Sequence, residues 1–183
     1  GEDDPGFTGT VTGLVNEGDL GTITYSRTND DEDVDTYEGV LTANYTANDN
    51  YTVSVTNGDF TINPLEVKVT ITGEQVSKVY DGNTYSAGYS MAADSDLYDV
   101  DTMVSTTATE SVSRSEYGKT DLGLDASQFT NTNDNFTVTF EVAKDGYVKI
   151  TKKAVTIVVD DASKTYGEDD PGFTGTVTGL VNE

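Results

Sequence analysis

Asn29-Asp-Asp-Glu-Asp-Val-Asp35 is the densest run of carboxylates in the chain, and Asp31, Asp33 and Asp35 fall at alternate positions within it. Oxygen ligands so spaced can wrap a hard cation such as Ca²⁺. An EF-hand loop would also need a glycine near its middle and a bidentate glutamate at its twelfth position. Counted from Asp31 the twelfth residue is Thr42, so that motif is absent. The run is therefore a candidate Ca²⁺ site weighed against a solvated hairpin loop, and the solvated loop is the expected state. Glu168-Asp169-Asp170, its twin Glu2-Asp3-Asp4, and Asp94, Asp96, Asp99 and Asp101 are lesser candidates of the same kind.

Other chemistries find less support. Two carboxylates at a fixed separation can cleave a glycosidic bond, but among 33 acidic residues some pair always has suitable spacing. The chain has no Cys and no His, which removes thiol nucleophiles, the usual zinc ligands and the usual base near neutral pH. The expectation is a protein that is not an enzyme and needs no cofactor. Tyrosine, present 11 times, can stack on sugar faces and hydrogen-bond their hydroxyls. The plainer reading makes Tyr45, Tyr51, Tyr80, Tyr147 and Tyr166 strand residues that fill cores. Asn44-Tyr-Thr46, Asn50-Tyr-Thr52 and Asn135-Phe-Thr137 match the N-glycosylation pattern, as a threonine-rich chain does by accident. With 10 basic residues against 33 acidic ones the net charge is −23, which opposes contact with nucleic acid or anionic membrane.

The elements that must position these residues are arranged by repetition. Gly1 to Glu17 reads GEDDPGFTGTVTGLVNE, and Gly167 to Glu183 reads the same, 166 positions further on. Such identity marks a tandem array, seen here as one period and the opening of the next. A weaker repeat lies inside the period. Asn48-Asp-Asn-Tyr-Thr-Val53 answers Asn133-Asp-Asn-Phe-Thr-Val138, Gly58-Asp-Phe-Thr-Ile62 answers Gly146-Tyr-Val-Lys-Ile150, and Ser77-Lys-Val-Tyr80 answers Ser163-Lys-Thr-Tyr166. Two related modules therefore alternate. The first occupies residues 1–64 and lacks its opening strand, the second occupies 65–152, and 153–183 holds the opening strand and start of the next first-type module.

The local pattern is β nearly throughout, so the fold class is mainly β: tandem small β modules, β-sandwich-like, with very little helix. Leu65, Val67, Val69 and Ile71 alternate with polar residues, and Val155, Ile157 and Val159 repeat the pattern. Tyr51, Val53 and Val55 alternate into Asn57-Gly58, which predicts a type I′ hairpin with Val55 opposite Phe60 and Val53 opposite Ile62. Phe136 to Val142 predicts a second hairpin through Lys144-Asp145-Gly146, with Val142 facing Val148, Phe140 facing Ile150 and Glu141 paired with Lys149. Short helical turns are expected within Thr120–Phe129 and Gly13–Asp19, and loops over 29–35, 92–101 and 130–135.

Ser77-Lys-Val-Tyr-Asp-Gly-Asn-Thr84, after an alternating strand and before NDNFTV and DGYVKI, resembles the YDG domain of bacterial surface proteins. Lys164-Thr-Tyr-Gly-Glu-Asp-Asp-Pro171, continued by NDNYTV and NGDFTI, resembles the MBG domain of the YGX type. The resemblance implies mainly β, β-grasp-like modules exported to the bacterial cell surface in a long, repetitive adhesin-like protein, and it assigns no catalytic or ligand residue. The expected role is a stalk or spacer segment of an adhesin or extracellular filament, with adjacent copies of the same repeat as head-to-tail partners through strand complementation. The alternative is an adhesin module that binds host or cell-surface glycans such as mucin.

Overall fold

A computed structural model describes residues 3–181. Glu2, one of the lesser acidic candidates, lies outside them. The chain is mainly β, with fourteen strands, one helical turn and one 3-10 turn among the described residues. It divides into two compact units, one of Gly1–Glu66 with Asn133–Thr137 and the other of Val67–Thr132 with Val138–Glu183.

In the first unit β1 (Thr24–Arg27), β2 (Asp35–Asn44) and β3 (Gly58–Ile62) form an antiparallel sheet with β2 in the middle. Tyr37 pairs with Phe60 and Asp35 with Ile62, then the register shifts before Leu41 meets Gly58. Gly39 takes up the irregularity at φ 66, a conformation that only glycine adopts without strain. Its N–H donates to Asp59 Oδ1 at 2.8 Å, and its carbonyl accepts from Asn57 Nδ2 at 2.9 Å. The predicted type I′ hairpin does not form. β3 pairs with β2, residues 51–57 belong to no strand, and neither Asn57 nor Gly58 has the positive φ that such a turn requires. The core of this unit is thin: Leu20 is its one fully buried hydrophobic residue among those described. Phe60 adds an edge-on contact with Phe7 at 5.5 Å, and the Arg27 guanidinium lies 5.1 Å from its ring centre.

The second unit holds a fuller core. β4 (Leu65–Gly73), whose first two residues belong to the first unit, carries the expected alternation: Val67, Val69 and Ile71 are buried while Glu66 and Lys68 are exposed. β5 (Gln75–Val79), β6 (Tyr85–Ala93), β7 (Val104–Thr106), β8 (Ser111–Arg114), β9 (Gly118–Asp121), β10 (Phe129–Asn131), β11 (Phe136–Lys144) and β12 (Tyr147–Thr151) follow. One sheet has the order β11-β4-β6-β8 and another the order β5-β12-β9, where β12 runs parallel to β5 and antiparallel to β9. Ala87 from β6 meets Val148 and Ile150 from β12 and Leu122 in the core, with Val76, Tyr80 and Val112 around them. Residues on facing sheets thus fill one sandwich-like interior.

The second predicted hairpin also fails. β11 joins the four-stranded sheet and β12 the three-stranded one, so Lys144–Gly146 is a corner between sheets. Glu141 forms its ion pair with Lys68 of β4, and Lys149 lies opposite Lys119 of β9 and Ser77 of β5. The corner is crowded: a Cβ on Gly73 would lie 2.0 Å from the Gly146 nitrogen. Burial on both faces of the core, not the local loop, decides which strands are neighbours.

Helix is confined to α1 (Val100–Met103), capped by Asp99, and a 3-10 turn at Ala126–Gln128 with a capping box from Asp125 and Gln128. The first lies at the end of an expected loop and the second within an expected turn. Gly13–Asp19 forms only turns and bends. Beyond β12, β13 (Thr156–Val159) and β14 (Gly175–Thr178) make an isolated two-stranded ribbon, exposed along its length.

Candidate functional site

The acidic run of residues 29–35 is a loop that opens β2. Its carboxylates go to different partners. Asn29 Nδ2 donates to Asp31 Oδ2 at 2.9 Å, Asn135 Nδ2 to Asp33 Oδ1 at 2.9 Å, and the Thr36 N–H to Asp35 Oδ1 at 2.7 Å. Arg27 forms an ion pair with Glu32 and another with Asp4 at 2.8 Å, and donates to the Asp31 carbonyl at 2.7 Å. Among the described residues no three acidic side chains converge as a cation would require. Asp31, Asp33 and Asp35 all lie near the Tyr37 phenol, which burial first and then these three charges raise. Three of the lesser candidates have separate partners: Asp94 accepts from the Lys68 N–H at 2.9 Å, Asp99 caps α1, and Asp170 pairs with Lys164 at 2.6 Å.

The tyrosines divide. Tyr80 follows β5 and packs on the core, and Tyr147 lies in β12. Tyr45 and Tyr51 lie outside strands, and Tyr166 is fully exposed, so these three are not the strand core residues that the sequence suggests. Tyr51 instead closes a latch. Its hydroxyl donates to Asp19 and accepts from the Val15 N–H at 3.0 Å, while Asn48 Nδ2 donates to the Asp19 carbonyl at 3.0 Å. The bond from Tyr51 holds the Asp19 carboxyl below its usual range, and the same bond raises the Tyr51 phenol. In the Tyr80-Asp81-Gly82 turn, Tyr85 donates to Asp81 at 2.5 Å and the Asn83 N–H donates at 3.0 Å; both lower the Asp81 carboxyl, Tyr85 foremost. Gly82 sits at φ 80, which explains the glycine of that motif. Acid and phenol are here the parts of turns.

Among the described residues, two hollows stand out. One, of about 320 Å³ in the second unit, is lined by Tyr80, Tyr117, Lys152, Val155 and Leu180. Lys152 covers the Tyr117 ring at 5.0 Å. The other, of about 620 Å³ in the first unit, is a groove lined by the segments Phe7–Leu14 and Tyr51–Thr56, its two walls, which belong to no strand, and also by Tyr25 of β1 and Leu41–Ala43 of β2. This groove is the most site-like feature of the described residues, and single-residue chemistry gives no sign of it.

The described residues thus form small β units, with ends alike in sequence and an open groove lined in part by segments outside any strand. Residues 1–61 and 155–183 match the family model of the MBG domain (YGX type). The second matched segment takes in β13 ahead of the repeated seventeen residues. No curated protein and no solved structure matches the chain.

Proposed function

We propose that this chain is a repeated spacer segment of an extracellular adhesin-like protein on a bacterial surface, where modules in series supply reach. The observation that carries the reading is repetition at two levels. The ends are identical over seventeen residues. The β13–β14 ribbon also reproduces the β4–β6 pairing 86 positions further along: Ile71 faces Met91 and Ile157 faces Val177, Gly73 faces Tyr89 and Val159 faces Gly175. The MBG match at both ends supports it. A spacer gains from copied modules, because length adds with each copy and each module need contact only its neighbours. The strongly acidic surface keeps such polymers apart from one another.

Chains of one, two and three repeats, measured by small-angle X-ray scattering, test this. The maximum dimension should grow by a constant increment per repeat. Growth that falls off as the chain compacts would overturn the spacer role. Glycan binding is the second reading, favoured by the fully exposed ring of Tyr166. Glycan-array binding that is lost with Tyr166→Ala would put it first.

A further inference from the structure

The 620 Å³ groove in the first unit has a counterpart that is full. In the second unit β4 lies between β11 and β6. The wall Tyr51–Thr56 corresponds to β11 through the NDNYTV and NDNFTV motifs. The wall containing Gly9–Thr12 has the sequence of β14, and β14 stands to β13 as β6 stands to β4 in register. Both walls thus correspond to the neighbours of one central strand, and among the described residues of the first unit the sheet β1-β2-β3, whose Tyr25 and Leu41–Ala43 also line the groove, holds no counterpart of that strand.

We propose that the groove is the place of that central strand, and that its occupant is the β13 sequence of the neighbouring copy of this repeat. It enters antiparallel to Gly9–Thr12, with Thr156 opposite Thr12, Ile157 opposite Val11 and Val159 opposite Gly9, the register of β13 on β14 moved back by one repeat. Three further observations fit this occupant. Val69 and Ile71 of β4 are completely buried, whereas their counterparts Val155 and Ile157 are 45% and 68% exposed, an apolar face with no cover. Val53, Val55 and Val11 line the groove and offer that cover. The glycines fit as well. Beside β14 the missing side chains of Gly175 and Gly179 make room for the carbonyls of Val158 and Ala154, at 2.6 and 2.7 Å from where a Cβ would stand. In the first occurrence the space beside Gly13 is empty, and beside Gly9 it is filled by the ring of Tyr25, a side chain that can turn aside. Backbone pairing on both edges would supply affinity and the alternate side chains register, as in other strand additions.

This deepens the repeat reading above and rests on the two ends being successive copies; it does not rest on the spacer role. The test is a full chain with residues 153–166 copied ahead of Gly1, compared with the parent chain by amide hydrogen exchange. Exchange at Thr10, Thr12, Val53 and Val55 should slow by at least about tenfold, as for amides moved from a frayed to a paired setting. Ile157→Asp and Val159→Asp in the added copy alone should restore the parent rates. Protection in β2 reports that the first unit is folded in every chain. As a second measurement, a synthetic peptide of residues 153–166 added to the parent chain should shift the NMR signals of residues 9–12 and 51–56 saturably. Unchanged exchange in the extended chain, or peptide-induced shifts confined to other residues, would overturn the proposal. A chain that takes up the strand but does not lengthen by a fixed step per repeat would sink the spacer reading alone.

Discussion

The described residues of the seventeen-residue repeat take two conformations in its two occurrences. Gly175–Thr178 is strand β14, paired through four residues with β13, while Gly9–Thr12, the same four letters, belongs to no strand. Intrinsic propensity, turn chemistry and charge are equal in the two places by construction. What differs is the company: β13 stands ahead of the second occurrence, and beside the first lies a groove. β-structure in a small module is therefore a property of pairs, and a segment rich in Thr and Val waits on a partner for its backbone bonds. The second unit extends the lesson, since its central strand β4 has four buried residues and its counterpart β13 has none.

The comparison predicts its largest effect at two equivalent isoleucines. Ile71→Ala removes a side chain with no exposed surface, and should destabilise the second unit by about 2–5 kcal/mol in urea unfolding. Ile157→Ala, at the matching place in β13, should stay within about 0.5 kcal/mol, because most of the side chain is already in water. Equal costs would mean that β13 is buried by contacts that the structure lacks, and the contrast between the strands would be void.

A smaller effect distinguishes the two occurrences directly. Gly175→Ala drives a methyl group against the Val158 carbonyl oxygen, 2.6 Å away, and backbone cannot yield as a side chain does. Overpacking of this kind costs about 1–3 kcal/mol, enough to fray a four-residue ribbon. Amide exchange in β13 and β14 should become that of a loop. Gly9→Ala meets only the Tyr25 ring, whose rotation relieves the contact, so the signals of Tyr25 should move while β1 and β2 keep their protection. Identical responses at Gly9 and Gly175 would show that the two occurrences share one environment.

How far the sequence foretells these features depends on whether the deciding interaction is local. The alternation from Leu65 to Ile71 is visible because each residue reports its own burial, and β4 follows from it. The class of fold comes through for the same reason. The two hairpins do not. Asn57-Gly58 and Lys144-Asp145-Gly146 are good turn sequences, yet turn chemistry states only how a turn would close if its flanking strands were neighbours. Here β3 prefers β2 and β12 prefers β5 and β9, each choice made by side chains tens of residues away. The aspartates of residues 29–35 show the same limit: alternate spacing brings carboxylates near one another along the chain, while each accepts from a separate donor, Asn29, Thr36 or Asn135. The vacant strand place is half legible, since the repeat shows what is missing, but only the paired counterpart shows where it goes.

The last contrast lies in a single atom. Tyr51, at the head of one groove wall, corresponds to Phe136 at the head of β11, so the unpaired segment carries a hydroxyl that its paired counterpart lacks. That hydroxyl holds residues 13–19 through Asp19 and Val15, and such a latch is of use to a wall that no strand secures. Tyr51→Phe should leave the sheet of β1, β2 and β3 intact, lower the melting midpoint of the first unit by a small amount, and speed amide exchange at Val15. The loss should depend on pH at both ends. Asp19 is lowered from its ordinary 3.8, mainly by the bond from Tyr51, so its contribution is complete above that value and disappears as pH falls through the depressed one. Tyr51 is raised from 10.0 by the same bond, so its contribution is complete below that value and is lost as pH climbs through the elevated one. Wild type and Tyr51→Phe should thus differ in full from about 3.8 to 10.0 and converge only as pH falls through the depressed value of Asp19 or climbs through the raised value of Tyr51. A difference that stays constant into acid would show that the ring, and not the proton it shares with Asp19, holds the wall in place.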